Sequence, residues 1–171
     1  LSAALSTLEG APGSGALRAR LRSQLAMMSP GFHLPRLSPS PGWTVPDPGE
    51  PLRVLHLLTS SLPHTQSGYT VRSHALLQAQ SDTGIDVRAV TRIGYPVIIG
   101  RPSAQATDVV DAVTYRRLLP ARTQAAPIAR LAQMSHLLAR EVEAFRPHLL
   151  HTTTNYVNAL VTQAVARSFG L

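Results

Sequence analysis

Polar side chains that can bind a small molecule follow the apolar stretches of this sequence. Ser67, Gly68 and Tyr69 come after the apolar run 52–59, and Arg92 comes directly after the β-rich run 85–91. A third group follows the run 148–150 and consists of His151, Thr153 and Asn155. Hydroxyl, imidazole, amide and guanidinium groups are suited to hydrogen bonds with sugar hydroxyls and phosphates. The side chains favour a binding site for a polar ligand, but they do not form a recognisable catalytic set.

The role of Gly68 depends on its backbone, since it has no side chain. It can let a ligand approach the backbone amides at the start of the helix that begins near Thr70, where the helix dipole favours anions. It can equally be an ordinary turn glycine. Neither the Gly-x-Gly-x-x-Gly pattern of dinucleotide-binding proteins nor the phosphate-binding loop of nucleotide hydrolases follows Thr59.

The histidines separate into structural and ligand-binding candidates. His148 and His151 are three positions apart on a predicted strand and so point to opposite faces, which argues against a shared metal ion. His56 lies within the first predicted strand, which favours a hydrogen-bonded core residue. His151 lies near the end of its strand, where it either contacts a ligand or has a structural role. No Gly-x-Ser-x-Gly motif and no cysteine are present, so the sequence supports neither a hydrolase triad nor thiolate chemistry.

The elements that position these residues alternate between strand and helix. An apolar strand at 52–59, a helix ended by Gly84 and a second strand at 85–90 form a βαβ unit, which implies a parallel sheet. Strand 112–119, helix 127–145, strand 148–154 and helix 156–169 continue the pattern. The segment 92–111 is predicted to be a long loop, with a short strand at 97–99 as an option. We therefore predict an α/β fold over residues 52–171: a single Rossmann-like parallel sheet with helices on both faces and a further strand expected after Gly170.

This topology brings four loops to the carboxyl edge of the sheet. They are the segments 60–69, 91–95, 119–122 and 151–155. Ligands of open α/β sheets bind at this edge. The sequence therefore predicts a cleft that contains the polar groups described above.

Charge and composition restrict the partners. The net charge is +7, and every one of the 16 basic residues is arginine. These arginines are scattered along the chain without a basic block or an aromatic-rich face, so nucleic-acid binding is not predicted. No run approaches the roughly 20 apolar residues that a membrane span needs, and no signal peptide pattern is present. We expect a cytoplasmic location.

Residues 1–51, called the arm below, differ from the rest of the chain. The arm holds eight of the 14 prolines, which exclude a continuous helix or a central strand. A short amphipathic helix is predicted near residues 17–28, with Leu17, Leu21, Leu25 and Met28 on one face. We expect it to dock on its own domain or on another part of the protein. Peripheral contact of this basic helix with an anionic membrane is the alternative.

Four segments together resemble the amino-terminal half of the GT-B glycosyltransferases of retaining family 4. They are Arg53-Val-Leu-His-Leu-Leu, Ser67-Gly68-Tyr69, Gly84-Ile-Asp-Val87 and Pro147-His-Leu-Leu-His-Thr-Thr-Thr-Asn155. In the family these positions correspond to the first strand, a glycine-containing loop, the entry to the second strand, and a histidine-containing strand before a helix. The resemblance covers residues 52–171. Ser67 replaces the first glycine of the usual Gly-Gly pair.

The resemblance implies the amino-terminal, mainly acceptor-binding domain of a retaining hexosyltransferase. A nucleotide-diphosphate sugar would be the donor substrate of the complete enzyme, and the acceptor would be a sugar, a glycolipid or another small molecule. The missing partner would be the carboxy-terminal, donor-binding domain of the same chain, without which no transfer is expected. The implied substrate-binding residues are Ser67, Gly68, Tyr69, Arg92, His151, Thr153 and Asn155; no bound cofactor, metal site or catalytic residue is implied. A non-catalytic Rossmann-like module that binds a small molecule or a protein is the alternative.

Overall fold

The computed structural model describes residues 6–7, 13–153 and 156–171. Its strands are β1 (Arg53–Leu58), β2 (Asp86–Thr91), β3 (Thr107–Val110), β4 (Val113–Arg117) and β5 (Leu149–Thr152). Its helices are α1 (Gly15–Met28), α2 (Gly68–Asp82), α3 (Pro127–Phe145) and α4 (Tyr156–Phe169), with a 3-10 turn at Val97–Ile99.

The strands form one sheet in the order β3-β4-β2-β1-β5. β1 lies between β2 and β5 and pairs in parallel with both, and β4 pairs in parallel with β2. Every β1 residue after Arg53 is buried, as expected for an apolar strand that is covered on both faces. The predicted Rossmann-like α/β fold is confirmed.

The segment between β2 and β4 differs from its prediction. Residues 97–99 form a 3-10 turn between Pro96 and Gly100 rather than a strand, and Gly100 ends the turn with a φ of 87°. The predicted loop also contains β3, which pairs antiparallel with β4, so the sheet is not wholly parallel. The two strands are joined at Asp111 and Ala112, whose φ angles of 46° and 66° give the left-handed backbone conformation that matches a two-residue turn to the right-handed twist of the strands.

Helices cover both faces of the sheet, as predicted. α2 packs on one face, where Leu77 joins Leu58, Ala89 and Tyr115 in a buried cluster. α3 and α4 pack together on the other face and contribute most of the main core. The buried members of α3 are Leu131, Met134, Ser135, Leu138, Ala139, Val142 and Phe145, which follow the spacing of one helical face. None of the helices among the described residues is long and apolar enough to cross a membrane.

The arm runs over the face formed by α3 and α4. Its helix α1 contacts α3 and buries Met27, whereas Met28 is 68% exposed. Further along, the Leu37 amide donates to the Ser168 hydroxyl at 2.9 Å. The Trp43 indole donates to the Phe169 carbonyl at 3.1 Å, and the two rings meet edge to face with centroids 4.9 Å apart. The arm is therefore held by specific contacts with the ends of both helices.

Candidate functional site

Two histidines face each other across β1 and β5. The strand register places His56 directly opposite His151, and their Nδ1 atoms are 2.9 Å apart. On its other side, His56 Nε2 lies 2.8 Å from the side-chain carbonyl oxygen of Gln80 on α2. Because that oxygen can only accept, the hydrogen of neutral His56 is on Nε2, and its Nδ1 accepts from His151 Nδ1. This chain of hydrogen bonds fixes the tautomer of His151 and leaves its Nε2 as the nitrogen available to a ligand.

Burial determines the charge of His56. His56 is 1% exposed, and burial lowers its pKa from 6.5 to about 4, with His151 contributing in the same direction. The hydrogen bond that His56 donates to Gln80 opposes the shift but does not reverse it. His56 is therefore neutral at physiological pH. Its role is to orient His151, since it has almost no accessible surface with which to contact a ligand itself.

A cavity of about 270 Å³ lies beside the pair, between α2 and the carboxyl ends of β1 and β5. Its lining residues are His56, Leu58, Arg72, Ser73, Leu76, His151 and Thr153. The volume is close to the lower limit of roughly 300 Å³ that is common for small-molecule sites. The lining residues carry one guanidinium, two imidazole and two hydroxyl groups beside two leucines. The accessible lining is mainly apolar, so it suits a small ligand with a large apolar face that is oriented by a few polar groups.

The amino-terminal turn of α2 lies one helical turn from Arg72. The Ser67 hydroxyl accepts from the Thr70 amide at 3.3 Å, and the Thr70 hydroxyl accepts from the Ser67 amide at 2.8 Å, which forms a capping box. A Cβ atom added at Gly68 would meet no protein atom within 4 Å. The fold itself therefore leaves open space over the first turn of α2. Tyr69 has a structural contact, since its hydroxyl accepts from the Thr59 amide at 3.3 Å.

A buried polar network holds the loop between β1 and α2. The side chain of Arg117 is fully buried, and its Nε donates to Asp108 at 2.8 Å. The same guanidinium donates to the Ser61 hydroxyl and to the Leu62 carbonyl. Tyr95 is also buried, and its hydroxyl lies 2.8 Å from the Ser61 carbonyl oxygen. These bonds connect the loop to β3 and β4 and thereby position the start of α2.

The structure brings part of the predicted site together. His151 and Thr153 line the cavity, and Ser67, Gly68 and Tyr69 lie at the start of the helix that forms its wall. Arg92 is half-buried after β2 and is not among the residues that line this cavity. Asn155 lies outside the described residues.

Sequence reasoning missed several residues of the site. Arg72, Ser73 and Leu76 line the cavity from α2. Helical spacing provides a signal for Arg72 and Leu76, because they lie four and eight positions after Gly68 and so share its side of the helix. His56 was expected only as a core residue, yet it is the partner of His151. Nothing in the pair Arg116-Arg117 indicates which arginine is buried.

In the ranges that the structure describes, no three His, Asp or Glu side chains converge to form a metal site. Comparisons of the chain with family models, with curated proteins and with solved structures find no match. The function must therefore be argued from the cavity and its surroundings.

Proposed function

We propose that this chain is the amino-terminal, acceptor-binding part of a retaining glycosyltransferase that uses a nucleotide-sugar donor. The observation that carries the proposal is the cavity between α2 and β5, at the edge where α/β sheets bind ligands. Its histidine, arginine and hydroxyl groups match the hydrogen-bonding needs of a sugar. Three of the four motifs that resemble family 4 glycosyltransferases lie on β1, β5 and the start of α2, the elements that form the cavity.

His151 is the central binding residue of this proposal. With its Nδ1 hydrogen directed to His56, its Nε2 can accept a hydrogen bond from an acceptor hydroxyl. Ser73 and Thr153 contribute hydroxyl groups, and Arg72 contributes a positive charge for an acidic or phosphorylated acceptor. We assign these residues to acceptor positioning and assign no catalytic residue.

The donor would lie toward the start of α2. Open space above Gly68 and the backbone amides of Gly68 and Tyr69, which the capping box does not use, favour a diphosphate there. The proposal requires a second domain that supplies most donor contacts. Because positioning and electrostatic stabilisation need groups on both sides of the reacting atoms, the chain of 171 residues should not transfer sugar alone.

One observation favours the alternative of a non-catalytic binding module. Every residue that lines the cavity comes from β1, β5, α2 or the residue just after β5. The cavity can thus hold a ligand without a second domain. A module of this kind would bind its ligand fully in the isolated chain and would not increase its affinity when a nucleotide sugar is added.

The first experiment measures sugar binding to the isolated chain by NMR, with hexoses and hexose phosphates as probes. We expect weak binding that shifts the His151 imidazole signals and is weakened in His151→Ala. His136→Ala is the matched control, because His136 is an exposed histidine on α3. Losing one hydrogen bond should weaken binding by about 0.5–1.5 kcal/mol. Equal binding by wild type and His151→Ala would place the sugar elsewhere, and no binding by any probe would contradict the proposal.

The second experiment separates the enzyme from the binding module. In the parent protein, Gly68→Val should remove most transfer activity while leaving acceptor binding intact, because the new side chain occupies the space assigned to the donor. The substitution should not unfold the protein, since no protein atom lies near the added Cβ. Transfer by the isolated chain, or full transfer by Gly68→Val, would refute the assigned donor position.

A further inference from the structure

Three consecutive apolar side chains stand exposed near the carboxyl edge of the sheet. Val97, Ile98 and Ile99 are 42%, 55% and 44% exposed in the 3-10 turn. We call these three residues the apolar tip. Runs of exposed apolar residues are uncommon on soluble surfaces unless they meet a partner or a membrane.

The apolar tip is built on a rigid base. Tyr95 is fully buried beneath it and hydrogen-bonds to Ser61. The amide of Gly94 donates to the Leu118 carbonyl at 2.8 Å, and the amide of Ile98 donates to the Gly94 carbonyl at 3.0 Å. A Cβ atom at Gly94 would lie only 2.9 Å from Ile98 Cγ2, so this glycine is needed for the tip to fold back on its base. The exposure of the three side chains is therefore a feature of an ordered turn.

Cationic side chains surround the apolar tip. Arg101 follows it directly and is exposed, and Arg122 is exposed on the neighbouring segment 118–126. That segment packs against the base, since Thr123 Oγ1 lies 3.9 Å from the position that a Cβ atom would take at Gly94. Segments 92–107 and 118–126 contain no Asp or Glu. The next acid along the chain, Asp108, is paired with Arg117.

From this arrangement we infer that the apolar tip inserts into an anionic lipid surface, with Arg101 and Arg122 contacting the headgroups. The combination of apolar side chains and a cationic rim matches the boundary between acyl chains and anionic headgroups. A second copy of the chain is a poorer partner, because each copy carries a net charge of +7 and would bring its own arginines to the contact. The inference does not depend on the proposed glycosyl transfer.

Vesicle flotation tests this inference with the full chain. The probes are vesicles of phosphatidylcholine mixed with phosphatidylglycerol, and vesicles of phosphatidylcholine alone. We expect binding to the anionic vesicles that decreases with salt. Ile98→Ser combined with Ile99→Ser should reduce it roughly tenfold or more. Arg101→Gln combined with Arg122→Gln should reduce it about fivefold per arginine.

Two control variants locate the contact. Val71→Ser with Val109→Ser removes two other exposed valines, of which Val71 is 49% and Val109 is 65% exposed, and should bind like wild type. Arg18→Gln with Arg22→Gln tests the basic helix α1 and should lower binding less than the Arg101 and Arg122 pair. Thermal unfolding of each variant shows whether it is folded.

The inference is overturned by three results. They are no flotation of the wild-type chain with anionic vesicles, binding of the isoleucine variant equal to that of wild type, and loss of binding in the α1 variant alone. A fourth result also overturns it: self-association that the isoleucine substitutions abolish, in the absence of vesicle binding, would make the apolar tip a protein interface.

Discussion

Acidification should destabilise this protein through His56. In the folded chain its pKa is about 4, whereas the ordinary value is 6.5. The unfolded chain therefore binds a proton at His56 as the pH falls below 6.5, while the folded chain resists it until about pH 4. Stability from this residue is complete above the unfolded pKa and decreases as the pH falls through that window.

The size of the effect follows from the two pKa values. Lowering a pKa from 6.5 to about 4 corresponds to about 3 kcal/mol of lost folding free energy once the pH is below both values. Typical domains have roughly 5–15 kcal/mol of stability, so the effect is a substantial share. The groups that face His56 are His151 on β5 and Gln80 on α2, and Arg72 lines the same cavity. None of them is an acid that would neutralise a protonated His56.

The assay is urea unfolding of wild type and His56→Leu from neutral pH down to about pH 4. Other groups also titrate in this range, so the informative quantity is the difference in unfolding free energy between the two proteins. This difference, wild type minus variant, should fall by about 3 kcal/mol across the range. His136→Leu controls for the loss of an exposed histidine and should show no comparable change.

A constant difference between wild type and His56→Leu would refute the reasoning. If His56→Leu does not fold, the NMR titration of His56 in wild type decides the question. Titration near its ordinary value would show that the imidazole is not desolvated as the structure indicates.

Other substitutions test other parts of the fold. Burial raises the pKa of Tyr115 from 10 to about 12. The folding free energy should therefore decrease as the pH rises above 10, by about 2–3 kcal/mol near pH 12. In alkaline unfolding curves, Tyr115→Phe should remove this loss. Arg117→Met should cost about 3–5 kcal/mol, because Asp108 keeps its buried charge without the guanidinium, and hydrogen exchange should quicken at Ser61. Trp43→Ala should cost up to about 3 kcal/mol in urea unfolding; unchanged stability would show that the arm is not anchored there.

Much of the fold could be predicted because its signals are local. β1 is apolar except for Arg53 and His56, α3 has a regular apolar stripe after a proline, and a positive-φ glycine follows α2. β3 could not be predicted in this way. It has four residues, none of them fully buried, and it lies in a segment rich in glycine and proline. Its formation depends on pairing with β4 rather than on its own pattern.

From the sequence, the site could be located only to the ends of the strands and the loops that follow them. The position of His151 followed from its strand end. Its pairing with His56 could not be foreseen, because it depends on the register between strands that are distant in sequence. The burial of Arg117 likewise depends on Asp108 and on the loop at Ser61, which only the tertiary structure brings together.

The contacts between the arm and α4 determine when the arm can fold during protein synthesis. Its residues are translated before α4, yet Trp43 and Leu37 find their partners at Phe169 and Ser168. Until α4 has left the ribosome, Trp43 and its apolar neighbours have no surface on which to dock. Domains often begin to fold from the amino terminus as they are made. Here the arm must wait for a helix that is synthesised after it, so nascent chains should expose the arm to chaperones and proteases until α4 has emerged.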